Sequence, residues 1–429
     1  MKTLRSDSPD FEAAIAPLMR RSAFDPEIDR SVATILAAVK ARGDEALVEY
    51  ARQFDHVELT PDQFRVSDDE IAAAFRAASG KLKQALRTAR KNILEFSRQR
   101  RPSNWSYVAR EGVRLGEQFH PLERVACYVP GGTAPLVSTV LHTVTVASAA
   151  GVKDIAVLTP ARADGTVNPA ILTACRIAGA TEVYRLGGVY GVAAAAYGTQ
   201  TIRKVEKIVG PGNAYVTAAK RQLYGEVALD QVAGPSEVLV VADDSANPQF
   251  VAADLLAQAE HGSGRELSVL VTTSKSLIGK VKTAIQEQCR VRTRNATINR
   301  VLDKGTFFIL TRDLDEAAAV ASRFAPEHLE LMTQKPDSLV PKIKAAGAIF
   351  VGSWTPEPVG DFVAGPSHVL PTGGAAAYFS GLTVDMFYRR SSIVRYTRAA
   401  LEKELPYIQQ FAEQEGLDGH GASASIRMK

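Results

Sequence analysis

The feature that most constrains the fold is a regular alternation of strand-like and helix-like segments, which begins near residue 123. The first series places apolar, strand-like runs at residues 124–129, 154–159, 182–186 and 207–209. Helical stretches, for example residues 136–150 and 168–178, lie between them. Strands separated by helices of ten or more residues predict a parallel sheet with helical crossovers.

A second series of the same kind follows, with strand-like runs at residues 237–242, 266–272, 307–310, 328–332 and 348–351. The first hundred residues are predicted to be helical, and Ser67 with Glu70 forms a capping box at one helix start. The last fifty residues have the pattern of a helical tail. The fold class is therefore α/β, with two Rossmann-like parallel-sheet domains, a helical N-terminal region and a small helical C-terminal tail domain.

These patterns predict four segments. Residues 1–127 form a helical N-terminal region, whose later part packs with residues 237–381 as one α/β domain. Residues 128–236 form the other parallel-sheet domain, and residues 382–429 form the tail.

Composition excludes several classes of protein. The 429 residues include 51 Lys and Arg against 47 Asp and Glu, a formal net charge of +4 that gives no reason to expect nucleic acid or an anionic membrane as partner. No run approaches the ~20 apolar residues that span a bilayer, and the N-terminus lacks the apolar core of a signal peptide. Three cysteines with no close pair make a disulfide framework unlikely. We expect a soluble, cytoplasmic protein.

Glycine-rich turns follow several strands of the first series. Residues 128–135 read Tyr-Val-Pro-Gly-Gly-Thr-Ala-Pro, Gly187-Gly188 follows the third strand, and residues 210–213 read Gly-Pro-Gly-Asn. In an open α/β sheet, ligands bind outside the carboxyl ends of the strands, where helix N-termini accept anions. None of these turns is Gly-x-Gly-x-x-Gly, so each is either a tight strand–helix connection or part of a phosphate or nucleotide site.

Gln258 and His261 lie three residues apart at the end of an apolar helical run. Residues at this spacing share one helix face, about 5–6 Å apart at their Cβ atoms, so both side chains can hold one ligand. They are equally compatible with the polar end of an ordinary helix that runs into Gly262.

Two further segments combine reactive side chains with turn residues. Glu327 and His328 follow Pro326 and can address one cleft only where the backbone is irregular; they form either an acid–base pair or a solvated strand edge. The loop at residues 360–374 carries Asp361 and His368 among many glycines and prolines. His420 lies near the C-terminus, in the predicted tail.

Taken together, Gln258, His261, Asp361 and His420 offer two nitrogens and two oxygens. This mixed set suits zinc or a similar divalent metal. Spacing alone cannot assemble ligands spread over more than 160 residues, so the metal site stays a hypothesis at this point.

Seven long motifs resemble histidinol dehydrogenase and occur in that family's order. They read YVPGGTAPLVSTVL, KIVGPGNAYVTAAK, AGPSEVLVVAD, DLLAQAEHG, APEHLEL, GDFVAGPSHVLPTGG and EGLDGH, and they span residues 128–420. The resemblance implies oxidation of L-histidinol through L-histidinal to L-histidine with two NAD molecules, the last step of histidine biosynthesis.

The resemblance also implies roles for individual residues. Gln258, His261, Asp361 and His420 would hold one zinc ion per subunit, and the substrate would contact the same site. His328 matches the base for the alcohol proton, and Glu327 matches the residue that activates water for the aldehyde. Positions that match the substrate pocket are Ser236, His368 and Glu415, and positions that match NAD contacts are Tyr128, Tyr190 and Asn213.

In this family the C-terminal segment reaches the partner subunit, so the resemblance implies a homodimer in which Glu415 and His420 complete the other chain's site. One position departs from the family. Its members usually have Gly-Gly-x-Gln-Ala where this chain has Gly187-Gly-Val-Tyr-Gly191, so Tyr190 replaces a glutamine that contacts the cofactor.

Two alternatives remain open. The chain is a related NAD-dependent dehydrogenase that acts on another small alcohol, a hypothesis motivated by Tyr190. Or it is a metal- or nucleotide-binding protein without catalysis, which predicts loss of Glu327 or His328, and both are present.

Overall fold

The computed structural model describes residues 1–21, 25–131, 135–232, 234–261 and 264–429. Its strands are β1 (Lys2–Arg5), β2 (Trp105–Arg110), β3 (Val113–Pro121), β4 (Arg124–Tyr128), β5 (Asp154–Leu158), β6 (Glu182–Tyr184), β7 (Lys207–Val209), β8 (Ala228–Leu229), β9 (Glu237–Ala242), β10 (Leu267–Thr272), β11 (Thr306–Leu310), β12 (His328–Met332), β13 (Ala348–Val351) and β14 (Tyr388–Tyr396).

The helices up to the middle of the chain are α1 (Phe11–Met19), α2 (Pro26–Arg42), α3 (Asp44–Tyr50), α4 (Asp68–Ala77), α5 (Gly80–Gln99), α6 (Val137–Val140), α7 (Val146–Ala150), α8 (Pro169–Ala178), α9 (Gly188–Tyr197) and α10 (Ala214–Gln222). They are followed by α11 (Pro248–Ala259), α12 (Lys275–Cys289), α13 (Asn295–Lys304), α14 (Leu314–Phe324), α15 (Glu357–Phe362), α16 (Arg398–Gln414) and α17 (Asp418–Ser425). A π-helical turn, Leu141–Thr145, joins α6 to α7, so the predicted helix at residues 136–150 is continuous but bulged.

Two parallel sheets form the body of the protein, as the alternation predicted. One has five strands in the order β6-β5-β4-β7-β8, and the other has six in the order β1-β11-β10-β9-β12-β13. Every pairing within both sheets is parallel. Successive residues of one strand point to opposite faces, so Val125 and Ala126 of β4 belong to different apolar clusters. Both faces are buried, which explains why these strands are almost wholly apolar.

The two ends of the chain differ from the helical prediction. The first residues form β1, which pairs with β11 at the edge of the six-stranded sheet. The tail begins with β14, which pairs antiparallel with β3 beside β2, and only then becomes helical in α16 and α17. A four-residue strand and an exposed strand carry too little apolar periodicity to be found in the sequence, because their partners lie far along the chain.

The N-terminal region contacts both parallel-sheet units. α1 and β1 pack with α14 and β11 of the six-stranded unit, whereas α2 and α3 pack on helices of the five-stranded unit. α5 contacts α7 and α8 of the five-stranded unit, and its Asn92 side chain also donates a hydrogen bond of 2.7 Å to the Val363 carbonyl. None of the described helices is long and apolar enough to cross a membrane. Cys127, Cys175 and Cys289 are buried and unpaired.

Candidate active site

The candidate site lies at the amino edge of the six-stranded sheet. His328 is the first residue of β12 and is in register with Val238 of β9, so His328 and Glu237 mark the same edge. Just before them, Ala325 ends α14 in a left-handed conformation with φ of +49°. This reversal, followed by Pro326, is the irregular backbone that allows both Glu327 and His328 to be buried at one place.

His328 is enclosed by acidic groups. Its Nδ1 lies 3.2 Å from the Glu237 carbonyl oxygen, and its Nε2 lies 3.7 Å from Asp361 Oδ1. Burial alone would lower the pKa of His328, but the carboxylates of Glu327, Glu357 and Asp361 raise it well above its ordinary value. A cation bound by Glu357 and Asp361 would oppose their charge and so lower the pKa of the imidazole again.

Glu327 is held by the neighbouring strand. Its Oε2 accepts a hydrogen bond of 3.1 Å from the Glu237 amide. Burial raises the pKa of Glu327 to about 7, against the opposing charge of His328. A carboxyl group with a pKa near neutral can both take and release a proton, which suits a general base.

Glu237 is itself fixed by the N-terminal region. Its carboxylate forms a buried ion pair of 3.1 Å with Arg21 and accepts a hydrogen bond of 3.2 Å from the Gly374 amide. The Arg21 guanidinium also lies 3.7 Å above the Phe324 ring. The sequence analysis did not single out Glu237 or Arg21, because a charge pair 216 residues apart leaves no local pattern.

The structure brings together His261, Glu357 and Asp361 as a candidate metal centre. One potential ligand atom from each lies within 4.8 Å of the others. Glu357 was not predicted, although it lies four residues before Asp361 on α15, a spacing that puts both carboxylates on one helix face. Two acidic residues four positions apart are the sequence pattern that would have identified Glu357.

Gln258 supports the same centre. It is fully buried at the end of α11, and its Nε2 lies 3.3 Å from His261 Nδ1. Its Oε1 is buried and has no hydrogen-bond partner among the described residues. An orphaned amide oxygen is costly unless something binds it. One imidazole, two carboxylates and this amide oxygen form a nitrogen and oxygen donor set that fits zinc or a similar divalent metal.

His261 borders an open cleft and is exposed by surface area. The cleft walls still desolvate its imidazole, which lowers the pKa of His261 despite the nearby Asp361 carboxylate. A histidine that is neutral at physiological pH presents a lone pair to a metal.

His368 faces Asp361 from another wall. Its Nδ1 lies 3.9 Å from Asp361 Oδ1, and its Nε2 lies 3.2 Å from the Thr139 hydroxyl. Its ring stacks on His142 with centroids 4.5 Å apart. No sequence pattern singled out His142, since the π-helical turn that holds it is not visible in the sequence.

The predicted cofactor residues lie at the carboxyl edge of the five-stranded sheet. Tyr128 ends β4 and accepts a hydrogen bond of 3.3 Å from the Gly188 amide. Tyr190 donates a hydrogen bond of 2.5 Å to Asp55 Oδ2. Asn213 is the N-cap of α10, and its Oδ1 accepts from the amides of Tyr215 and Val216 at 3.1 Å. All three line a cavity of about 920 Å³.

The turn after β7 allows this close packing. Gly210 has φ of +116°, and a Cβ there would lie 2.2 Å from the Tyr128 carbonyl oxygen. Only glycine fits such a position.

A second cavity, of about 820 Å³, connects the two edges. It shares Asn213 and Tyr215 with the first cavity and extends to Ser236 and His261. The carboxyl edge of one sheet thus faces the amino edge of the other across a single cleft. Such a cleft can hold a dinucleotide at one end and a small polar substrate beside the candidate metal centre at the other.

Glu415 and His420 are not brought to this cleft by their own chain. Glu415 caps the C-terminus of α16, and both side chains are exposed in the tail. Neither is among the described residues that line the two cavities. Parts of three quoted motifs, residues 132–134, 233 and 262, lie outside the described residues.

A family model, related sequences and a solved structure all match this chain along most of its length. The family model for histidinol dehydrogenase matches residues 18–428. The histidinol dehydrogenase of Syntrophotalea carbinolica is 43% identical over 430 residues, covering 100% of this chain and 99% of that protein. That of Moorella thermoacetica is 46% identical over 397 residues, covering 92% of this chain and 93% of that protein. The crystal structure of histidinol dehydrogenase from Elizabethkingia anophelis has a TM-score of 0.94 at 36% identity, covering 100% of this chain and 98% of that one.

Proposed function

From the premise that the chain belongs to the histidinol dehydrogenase family, we propose that it converts L-histidinol to L-histidine with two NAD molecules and one zinc ion per subunit. The chain is a dehydrogenase of the histidinol dehydrogenase type. The proposal adds the metal, the cofactor and the final step of histidine biosynthesis, carried out in the cytoplasm. The observation that supports it most strongly is the cleft that joins His261, a member of the cluster with Glu357 and Asp361, to the cavity beside Tyr128 and Asn213.

Gln258, His261 and Asp361 would hold the zinc ion, with His420 of a second copy of the chain as a further ligand. The orphaned Gln258 Oε1 supports this, because a metal would satisfy it. Zinc, when bound, supplies a positive charge that orients the imidazole and amino nitrogens of the substrate. Glu357 is an additional candidate ligand, since its carboxylate lies in the same cluster.

His328 is the proposed base for the alcohol. When Nδ1 donates its hydrogen to the Glu237 carbonyl, the neutral ring keeps its lone pair on Nε2. That nitrogen has no hydrogen-bond partner among the described residues and faces Asp361. It is therefore the atom to take the hydroxyl proton while the hydride leaves for NAD.

Glu327 is the proposed base for the second oxidation, in which the aldehyde must first be hydrated. The Glu237 amide fixes one carboxylate oxygen, so the side chain is oriented before substrate arrives. The Ser236 and His368 side chains, at the rim and on the opposite wall, are the proposed substrate contacts.

The cavity at the five-stranded sheet is the proposed NAD site. Its charged lining residues are Glu49 and Asp55, and no Lys or Arg is among its described lining residues. A site for a 2′-phosphate normally contains an arginine, so this lining favours NAD over NADP. Tyr190 lies where the family usually has glutamine, and it presents a hydroxyl in place of an amide.

The proposal includes a homodimer in which the tail crosses to the partner. Large apolar side chains are exposed on β14 and α16, for example Val394, Tyr407 and Phe411, at 66%, 68% and 68% of their surface. Exposed apolar side chains grouped in this way mark an interaction surface. Glu415 and His420 lie in the same tail and away from the cleft of their own chain, as a shared site requires. We propose the four segments predicted above as its domains, with two adjustments. β4 (Arg124–Tyr128) belongs whole to the five-stranded unit, and α5 of the N-terminal region packs on that unit as well.

The decisive experiment incubates the purified protein with L-histidinol and NAD. We expect two NADH per histidinol consumed, with L-histidine as product, and loss of turnover after a strong chelator that added zinc restores. NADH formation with a different amino alcohol or diol only would favour the alternative dehydrogenase. No turnover with any alcohol, with zinc present, would contradict the proposal.

A further inference from the structure

A strongly basic cleft lies on the outer face of α5, apart from the candidate active site. Its volume is about 610 Å³ and its charged lining residues are Arg87, Arg90, Lys91, Glu95, Arg98 and Arg176. Five cations against one carboxylate give a local excess as large as the formal net charge of the whole chain, +4.

The helical periodicity of α5 places the cationic side chains of the cleft on one face. Arg87, Arg90, Lys91 and Arg98 lie within about 100° of the helix circumference, because α-helical residues advance 3.6 per turn. The neighbouring face of α5, with Leu86 and Ile93, is buried against the protein. α8 contributes Arg176 from the other side of the cleft.

Four of these five cations lack a carboxylate partner among the described residues. Lys91 pairs with Glu95 at 3.7 Å, whereas Arg87, Arg90, Arg98 and Arg176 have no carboxylate partner among the described residues. Like charges three and four residues apart on a helix repel each other, so this arrangement costs folding stability unless an anion offsets it.

Two of the arginines have features that favour binding of an anion. The Arg176 guanidinium lies 4.7 Å from the centre of the Phe75 ring, a stacking contact that limits its orientations. Arg90 Nε is buried and has no hydrogen-bond partner among the described residues, although it belongs to a lining residue. A buried N–H donor without an acceptor is unusual, and an anion in the cleft would satisfy it.

We propose that this cleft binds a small organic phosphate that carries at least two negative charges. Guanidinium groups match phosphate oxygens in pairs, and phosphates are the anions that arginine clusters recognise most strongly. Phe75, Leu94 and Ile177 add an apolar wall, which fits the organic part of such a molecule. A nucleic acid is less suited, because the cations line one small cleft on a chain of nearly balanced charge.

The test measures pyrophosphate and ATP binding to the full chain by titration calorimetry at constant ionic strength. The variant is Arg87→Gln with Arg98→Gln, two exposed residues whose replacement leaves the buried face of α5 intact. The matched control is Lys81→Gln with Lys280→Gln, which removes the same charge at exposed positions outside the cleft. We expect saturable binding of one probe molecule per chain, weakened at least about tenfold in the variant and about twofold or less in the control.

Each other outcome overturns the proposal. No saturable binding of either probe means that the cleft is only a solvated basic face. Binding that survives in the cleft variant assigns the probe to the nucleotide cavity instead. Equal weakening in variant and control reports general electrostatic attraction, and binding of a short DNA duplex without binding of either phosphate probe indicates a nucleic-acid surface.

Discussion

The Tyr190 hydroxyl donates a hydrogen bond of 2.5 Å to Asp55 Oδ2 in the wall of the proposed NAD cavity. Burial raises the pKa of Asp55, and the hydrogen bond from Tyr190 opposes this shift. Tyr190, at the position where the resemblance implies a glutamine, thus has a partner in Asp55, the last residue of the π-helical turn Ala51–Asp55.

Tyr190→Phe is therefore expected to affect both stability and cofactor binding. The variant keeps the ring but removes the tyrosine donor from the half-buried Asp55 carboxylate, at a cost of about 0.5–1.5 kcal/mol. We expect a lower melting temperature and a KM for NAD raised severalfold, with the KM for histidinol unchanged. Tyr224→Phe, at a tyrosine that is 79% exposed, is the matched control. An unchanged KM for NAD would show that the hydroxyl serves the fold alone.

His261→Ala is expected to remove the metal. Among the described residues of the cluster, His261 supplies the nitrogen ligand, and without it the remaining groups of the same chain are oxygen donors, which hold zinc weakly. Zinc content after dialysis should fall from about one per chain to near zero. His56→Asn is the control, because His56 is exposed and has φ of +55°, a conformation that asparagine tolerates. Full zinc retention in His261→Ala would contradict the assignment.

Glu357→Gln distinguishes two roles for a residue that the sequence analysis missed. Glu357 Oε1 lies 3.6 Å from His328 Nδ1 and also belongs to the metal cluster. If it binds zinc, the variant should bind the metal about tenfold or more weakly. If it only positions His328, zinc content will stay near that of the native protein while kcat falls, and the ligand role is then rejected.

His328→Asn and Glu327→Gln should separate the two oxidations. Loss of a general base typically costs about 10²–10⁴ in rate. His328→Asn should block oxidation of histidinol. In Glu327→Gln the amide oxygen can still accept from the Glu237 N–H, so the fold is kept while the base is lost. Oxidation of added histidinal should then fall more than oxidation of histidinol, and equal losses at both steps would reject this division of roles.

Mixed dimers test whether the tail is shared. His420→Ala and His328→Asn chains should each be inactive as homodimers. If the tail crosses over, a mixed dimer has one site with both defects and one site with neither, so about half of the native activity per dimer returns. If each tail serves its own chain, every site keeps one defect and mixing will restore nothing. Re-mixed native chains provide the control for the exchange procedure.

The sequence by itself determined both parallel sheets. Apart from the edge strands β1, β8 and β13, the strands are largely buried on both faces and are therefore continuous apolar runs. The helices between strands are long enough to show their own period. β9, β12 and β13 have the predicted bounds. β1 and β14 were missed, because their pairing partners β11 and β3 lie far away in the chain and their own patterns are weak.

The residues of the candidate site likewise fall into two groups: those that the sequence identified and those that only the structure shows. Local spacing predicted that Gln258 and His261 could hold one ligand, and the two side chains are adjacent although α11 ends at Ala259, before His261. The family resemblance named the distant residues. Only the tertiary structure decided that Glu357 joins His261 and Asp361, that Arg21 holds Glu237, and that Tyr190 meets Asp55. The physical reason is that helix and strand periods act over a few residues, whereas the distances between charges that set pKa values and bind ligands depend on how separate segments pack.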